Sequence, residues 1–169
     1  SPATFTWIVD TSPPTTSIDS VADGKKDSLS NSSSTQSNSI TFTFSGNDTG
    51  KSEVKRFECS TDNSDFVTCT SPFGFPNLLS DGSHTFKVRA EDNSGNKDAS
   101  PEVFGWSVDT TPPPANINSV FDGNNDTVSN GGNTTSTSMI FTLSATDIGA
   151  GLDHFECSID GASFTTCTS

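Results

Sequence analysis

Several short runs of the chain alternate apolar and polar side chains with a period of two. Ile40-Thr41-Phe42-Thr43-Phe44 places Ile40, Phe42 and Phe44 on one face and threonines on the other. From His84 to Glu91, Phe86, Val88 and Ala90 fall on one face. Phe5, Trp7 and Val9 share a face, as do Phe104, Trp106 and Val108, and Phe57 lies on the same side as Cys59. Alternation of this kind marks half-buried strands. No stretch has the 3.6-residue period of a helix. Asp62-Asn63-Ser64-Asp65 and Asp160-Gly161-Ala162-Ser163 read as the turns of short hairpins. Many short strands at this spacing predict an all-β fold, with two sheets packed as a sandwich.

The strand pattern occurs twice. Ser1 to Asp48 matches Ser100 to Asp147 without a gap, at a shift of 99 residues and with 24 of 48 positions identical. After a one-residue deletion near Lys51, Phe57 to Ser71 matches Phe155 to Ser169, with 10 of 15 identical. A unit of this length suits one small β-domain. The predicted organisation is the last strand of a preceding repeat (1–10), one complete domain (11–109) and a partial second domain (110–169). The second copy lacks the counterpart of Pro72 through Trp106, so its sheet has open edges. The first expectation is that the chain continues. The sharper one is that a segment of another copy completes the sheet by strand addition, with residues 1–10 as a donor for the last missing strand only.

Composition adjusts this picture. Hydrophobic residues make up 29% of the 169, with thirteen Phe and no Tyr, so each core should be thin and phenylalanine-rich. A thin core gains from a covalent staple. Cys59/Cys69 and Cys157/Cys167 repeat the same spacing, which points to one disulfide within each unit. Zinc is the weaker alternative, because a structural zinc takes four soft ligands and each unit has two cysteines. Persistent disulfides place the chain in an oxidising, extracellular compartment or at the cell surface. The net charge of −13 argues against nucleic acid, whose binding needs a basic surface. No membrane-spanning run occurs in this segment.

The units meet at Val-Asp-Thr-Ser/Thr-Pro-Pro, Val9 to Pro14 and Val108 to Pro113. Paired prolines favour an extended, stiff joint, so the array should behave as a rod. Two acidic settings invite a calcium ion, the only cofactor considered, since calcium takes six to eight oxygens. One is the Asp-Gly loop, with Asp23 and Asp27 in the first copy and Asp122 and Asp126 in the second. This loop lacks the EF-hand spacing, and an ordinary turn is the competing reading. The other is the junction aspartates Asp10 and Asp109 with Asp92 and Asn96. Asn31, Asn47, Asn125 and Asn133 head glycosylation sequons in polar stretches, as a glycoprotein would carry. No catalytic constellation appears, so the chain is not expected to be an enzyme. His84 and His154 are not repeat equivalents, and His84 reads as a surface residue at a strand start. Glu91 and Asp92, adjacent on a strand, should face opposite sides.

Phe57-Glu58-Cys59-Ser60, Phe66 to Pro72, Leu78-Leu79, Asp81 to Asp92, Gly95-Asn96 and Phe104 to Pro113 together resemble the Ig-like repeats of large prokaryotic surface proteins. Essentially the whole chain takes part in the resemblance. Its most specific parts are the Phe-x-Cys/Cys-Thr-Ser pair and the Trp-x-Val-Asp-Thr-x-Pro-Pro junction. The resemblance implies tandem immunoglobulin-like β-sandwich domains, each with its own disulfide, in a stalk, adhesin or filament. Fold alone names no ligand. The leading expectation is a structural building block of an extracellular filament or stalk, whose partners are copies of itself or neighbouring repeats. The alternative is the repeat region of an adhesin that presents a tip to cell-surface or carbohydrate ligands. A scaffold region of a large exported enzyme ranks third.

Overall fold

The alternating runs become strands, and among the described residues there is no helix. A computed structural model describes residues 2–50, 52–75, 79–147 and 151–169. Leu78, part of the resemblance above, lies outside the described residues. The chain divides into two units, Ser1–Thr110 and Thr111–Ser169.

Unit 1 holds β1 (Thr15–Asp23), β2 (Ser33–Thr35), β3 (Ile40–Asn47), β4 (Val54–Thr61), β5 (Val67–Cys69), β6 (Phe73–Phe75), β7 (Gly82–Asp92) and β8 (Glu102–Val108). They form two sheets, of order β1-β3-β6 and β2-β8-β7-β4-β5. The apolar faces meet at Phe42, which stacks on Phe86 with ring centroids 4.1 Å apart and meets Phe104 edge-on at 5.6 Å. Trp106 closes the same cluster at 5.4 Å from Phe42. Ile40, Phe44, Val88 and Val108 are buried with them. The period of two therefore sorted the core correctly, because every second residue of β3 and β7 points between the sheets. Most pairs are antiparallel. The exception is β2, which runs parallel to β8 with Ser33 opposite Trp106 and Thr35 opposite Val108.

Unit 2 holds β9 (Ala115–Asp122), β10 (Met139–Ala145), β11 (Phe155–Cys157) and β12 (Thr165–Cys167). They pair as two two-stranded sheets, β10-β9 and β11-β12. By the repeat, these are the counterparts of β1, β3, β4 and β5. Even the bulge recurs: register shifts between Ile18 and Ser20 in β1, and between Thr142 and Leu143 where β10 pairs with β9.

Residues 2–10, expected as the last strand of a preceding repeat, pair with no strand of unit 1. One expectation needs correction. His84 is not a surface residue. It is buried against Trp106, with ring centroids 5.5 Å apart, because the β7 register turns it inward.

Candidate functional site

The densest group of potential ligand atoms in unit 1 is a trio of carboxylates. Asp10, Asp48 and Asp92 bring their oxygens within 4.8 Å of one another. Asp92 ends β7, Asp48 follows β3, and Asp10 precedes the two prolines. Local geometry fixes each of them. Asp92 accepts the Asn96 amide and side-chain N–H, both at 2.8 Å. Asp48 accepts the Gly50 amide at 2.8 Å and the Ser52 hydroxyl at 3.2 Å. Asp10 accepts the Ser12 and Ser52 amides at 3.0 and 3.1 Å. Gly50 is needed for this approach, since a Cβ there would overlap the Asp10 carboxylate. Asn96 also donates to the Asp10 carbonyl at 3.1 Å, tying the segment before the prolines to the β7 turn.

The Asp10, Asp92 and Asn96 group singled out in the sequence thus comes together in unit 1. Asp48 was missed, although its counterpart Asp147 is kept in the second copy. Asp109 does not join the group. Burial would raise the Asp92 carboxyl, but hydrogen bonds from Asn96, Ser52 and the Ser94 amide outweigh it and hold it below its ordinary value. Three carboxylates offer oxygens of the kind a hard divalent cation takes, fewer than the six to eight calcium prefers. Among the described residues, this is the group of three such side chains whose oxygens lie close enough together to share a cation.

The Asp-Gly loops are built differently. Asp23 accepts the Lys25 and Asp27 amides at 2.8 and 3.0 Å on one oxygen and the Thr35 hydroxyl at 2.8 Å on the other. Asp122 repeats this with Asn124 and Asp126 at 2.9 and 3.0 Å, and with Thr134 at 2.6 Å. Here one carboxylate serves as the internal template of a turn. Asp27 and Asp126 lend their backbone amides to it. Gly24 and Gly123 are required by proximity, since a Cβ would collide with Ser37 or Ser136, whose hydroxyls accept their amides. The left-handed positions fall instead on Lys26 and Asn125.

Both cysteine pairs are joined, Cys59 to Cys69 and Cys157 to Cys167. Each links a short hairpin, β4 to β5 and β11 to β12, within one sheet. Asp62 and Asn63 take the left-handed turn between them in unit 1, as Asp160 and Gly161 do in unit 2.

Charged side chains on β4 and β7 make a second network. Glu58 takes Arg89 and Lys97, each at 2.8 Å, and Glu91 takes Arg56 at 2.6 Å and Lys97 at 3.4 Å. Lys97 chiefly, against the cost of burial, holds the Glu58 carboxyl below its ordinary value. In unit 2, His154 replaces Arg56 and stays 3.8 Å from Glu156, the counterpart of Glu58. Its nearer partner, Asp153, raises its pKa. His84 lies between two acceptors, with Nδ1 2.8 Å from the Asp62 carboxylate and Nε2 2.8 Å from the Ser80 carbonyl, and donates to both when it is protonated. Each histidine faces an aspartate carboxylate, Asp62 or Asp153, and forms an ion pair with it when protonated.

The four sequon asparagines are exposed. Asn31 also accepts the Gly105 amide at 2.8 Å through its side-chain oxygen, bracing β8. No helix among the described residues is long and apolar enough to cross a membrane. No protein-family model matches the chain, and no curated protein is significantly similar to it.

Proposed function

We propose that the chain is a structural segment of an extracellular stalk or filament made of stacked, disulfide-stapled Ig-like repeats. The observation that carries this reading is the fidelity with which unit 2 rebuilds the side-chain scaffold of unit 1. Ser37 and Ser39 recur as Ser136 and Ser138 with the same bonds. Ser71, which accepts the Phe44 amide, recurs as Ser169 at Leu143. Ser60, bonded to the Ser64 carbonyl, recurs as Ser158 at Ala162. Identical scaffolding at a constant spacing favours a material built by repetition over a singular binding site.

The Ig-like assignment draws support from the strand order. In unit 1 the chain passes from one sheet to the other between β1 and β2, β2 and β3, β3 and β4, β5 and β6, and β6 and β7, and such crossings are a feature of Greek-key sandwiches. The disulfide departs from the antibody pattern, since it joins neighbours in one sheet rather than bridging the sheets. Disulfides favour the extracellular setting. Electron microscopy of the native assembly is the test. Uniform fibres or rods with an axial repeat of one or two domains are expected. Single rods ending in a distinct head would sink the proposal in favour of the adhesin reading.

A further inference from the structure

An aspartate followed by glycine is a peptide step open to self-modification, because no Cβ shields the glycine amide. The amide nitrogen can bond to the aspartate Cγ. The carboxyl hydroxyl then leaves as water with the amide proton, and a cyclic imide forms. Water reopens the ring, and opening at the main-chain carbonyl gives isoaspartate, whose backbone runs through Cβ and Cγ. Cyclisation needs a protonated carboxyl, a side chain free to swing and an amide free to receive it.

Asp23-Gly24 and Asp122-Gly123 are such steps, at equivalent places of the two units. Packing dictates the glycine in both. A Cβ on Gly24 would lie 2.8 Å from the Ser37 hydroxyl oxygen, and one on Gly123 would lie 2.7 Å from that of Ser136. The same hydroxyls accept the glycine amides, at 3.0 Å for Gly24 and 2.9 Å for Gly123. The carboxylates are also engaged. Asp23 is 8% exposed, and its oxygens accept the Lys25 and Asp27 amides and the Thr35 hydroxyl. Asp122 is 5% exposed and is held in the same way by Asn124, Asp126 and Thr134.

Burial would raise the Asp23 carboxyl, but the Thr35 hydroxyl and the Asp27 and Lys25 amides outweigh it and hold it below its ordinary value. The Thr134 hydroxyl and the Asp126 amide do this at Asp122. Both carboxyls therefore stay in the charged form, which has no hydroxyl to lose. The neighbours differ between the copies, with Asn124 for Lys25, Asn125 for Lys26 and Thr135 for Gln36, while the aspartate, glycine, threonine and serine are the same. Every partner lies within its own loop, between Asp23 and Ser37 or between Asp122 and Ser136.

We propose that Asp23 and Asp122 are latent isoaspartate sites, kept unmodified in the folded chain by the hydroxyls of Thr35 and Ser37 and of Thr134 and Ser136. The reacting groups belong to the chain itself, and water is the co-reactant. The chemistry goes beyond the repeat-array reading and does not rest on it.

The test is ageing of the whole chain at neutral pH below its melting temperature, with isoaspartate at each site read by electron-transfer fragmentation of its peptides. Residues 23 and 122 should convert at least about ten-fold more slowly in the folded chain than in the same chain held unfolded in guanidinium. Equal rates overturn the proposal. Thr35→Val/Ser37→Ala should raise the rate at residue 23 by roughly ten-fold, through easier local opening. Residue 122 and the Asp81-Gly82 step of unit 1 should keep their rates. Thr134→Val/Ser136→Ala should raise residue 122 alone. An unaltered rate at the targeted residue overturns the proposal. A rise at Asp81 in step with Asp23 would mean that unit 1 itself has opened, and the second pair, in which Thr134 is exposed, then decides.

Discussion

Phe42 and Phe141 occupy the same position of two copies of one repeat, yet one is sealed and the other is nearly half open. Each sits in an alternating strand paired with the same neighbour, β1 or β9. The polar turn beside each is identical to the level of individual hydrogen bonds. What differs is the second layer. Unit 1 brings β7 and β8 across Phe42, while unit 2 among its described residues has no counterpart of either. Local sequence thus suffices for strands, turns and disulfides. Burial depends on whether an opposing sheet is present.

This comparison can be broken most directly at the two phenylalanines. Phe42→Ala should destabilise unit 1 by about 3–5 kcal/mol through lost burial and a cavity. Phe141→Ala should cost well under half of that, because its ring is already partly hydrated. Guanidinium unfolding of the two variants checks this, and equal losses would refute the account of Phe141 as only partly covered. Next in size is the staple. Cys59→Ser/Cys69→Ser should cost roughly 2–3 kcal/mol, as expected for closing so short a loop. The corresponding change at Cys157 and Cys167 should loosen the β11–β12 hairpin, seen as faster amide exchange there.

The turn carboxylates come third. Asp23→Ala strands the amides of Lys25 and Asp27 and should cost about 1–3 kcal/mol, the usual penalty for unsatisfied polar groups near a core. Asp122→Ala should cost less, since its partner Thr134 is exposed whereas Thr35 is buried. A thermal melt of each variant decides the ranking.

The smallest effect is the pH dependence, carried in unit 1 by Glu58, Asp92 and His84 among others and shared in unit 2 by Asp122 and His154. Glu58 and Asp92 have folded pKa values below their ordinary 4.5 and 3.8. Their contribution is present above those ordinary values and is lost as the pH falls through the folded ones. His84 behaves oppositely. Burial works against its charged form, but the Ser80 carbonyl and Asp62 outweigh it, so the folded pKa lies above 6.5. That contribution is full below 6.5 and is lost as the pH rises through the folded value. Stability should therefore be greatest between about 4.5 and 6.5 and decline gently above. His84→Gln should flatten the alkaline decline in a series of melts across pH, and an unaltered decline would assign it to other groups.

Much of this was legible in the sequence because it is local. Period-two alternation located β3, β7 and β8, and equal spacing paired the cysteines. The repeat aligned unit 2 on unit 1 residue by residue. Asp10, Asp92 and Asn96 stood out as a group because turn aspartates and asparagines present oxygens close to the backbone. Asp48 did not, since its approach to Asp10 depends on how the loop after β3 folds past Gly50. His84 was misjudged for a related reason. Its neighbours Gly82 and Ser83 look exposed, but strand register alone decides which face meets Trp106.

By itself the sequence determined the elements of this protein: strands, turns, disulfides and the recurrence that makes two units of one plan. These rest on backbone sterics, alternation and short covalent loops, which act within a dozen residues. Only the tertiary structure decided which copy of an identical motif is core and which is bare. Phe104-Gly105-Trp106 and Phe5-Thr6-Trp7 carry the same large side chains at the same spacing. The first is buried because β7 and β2 flank it. Burial is a property of the opposing surface, and no residue encodes its own cover.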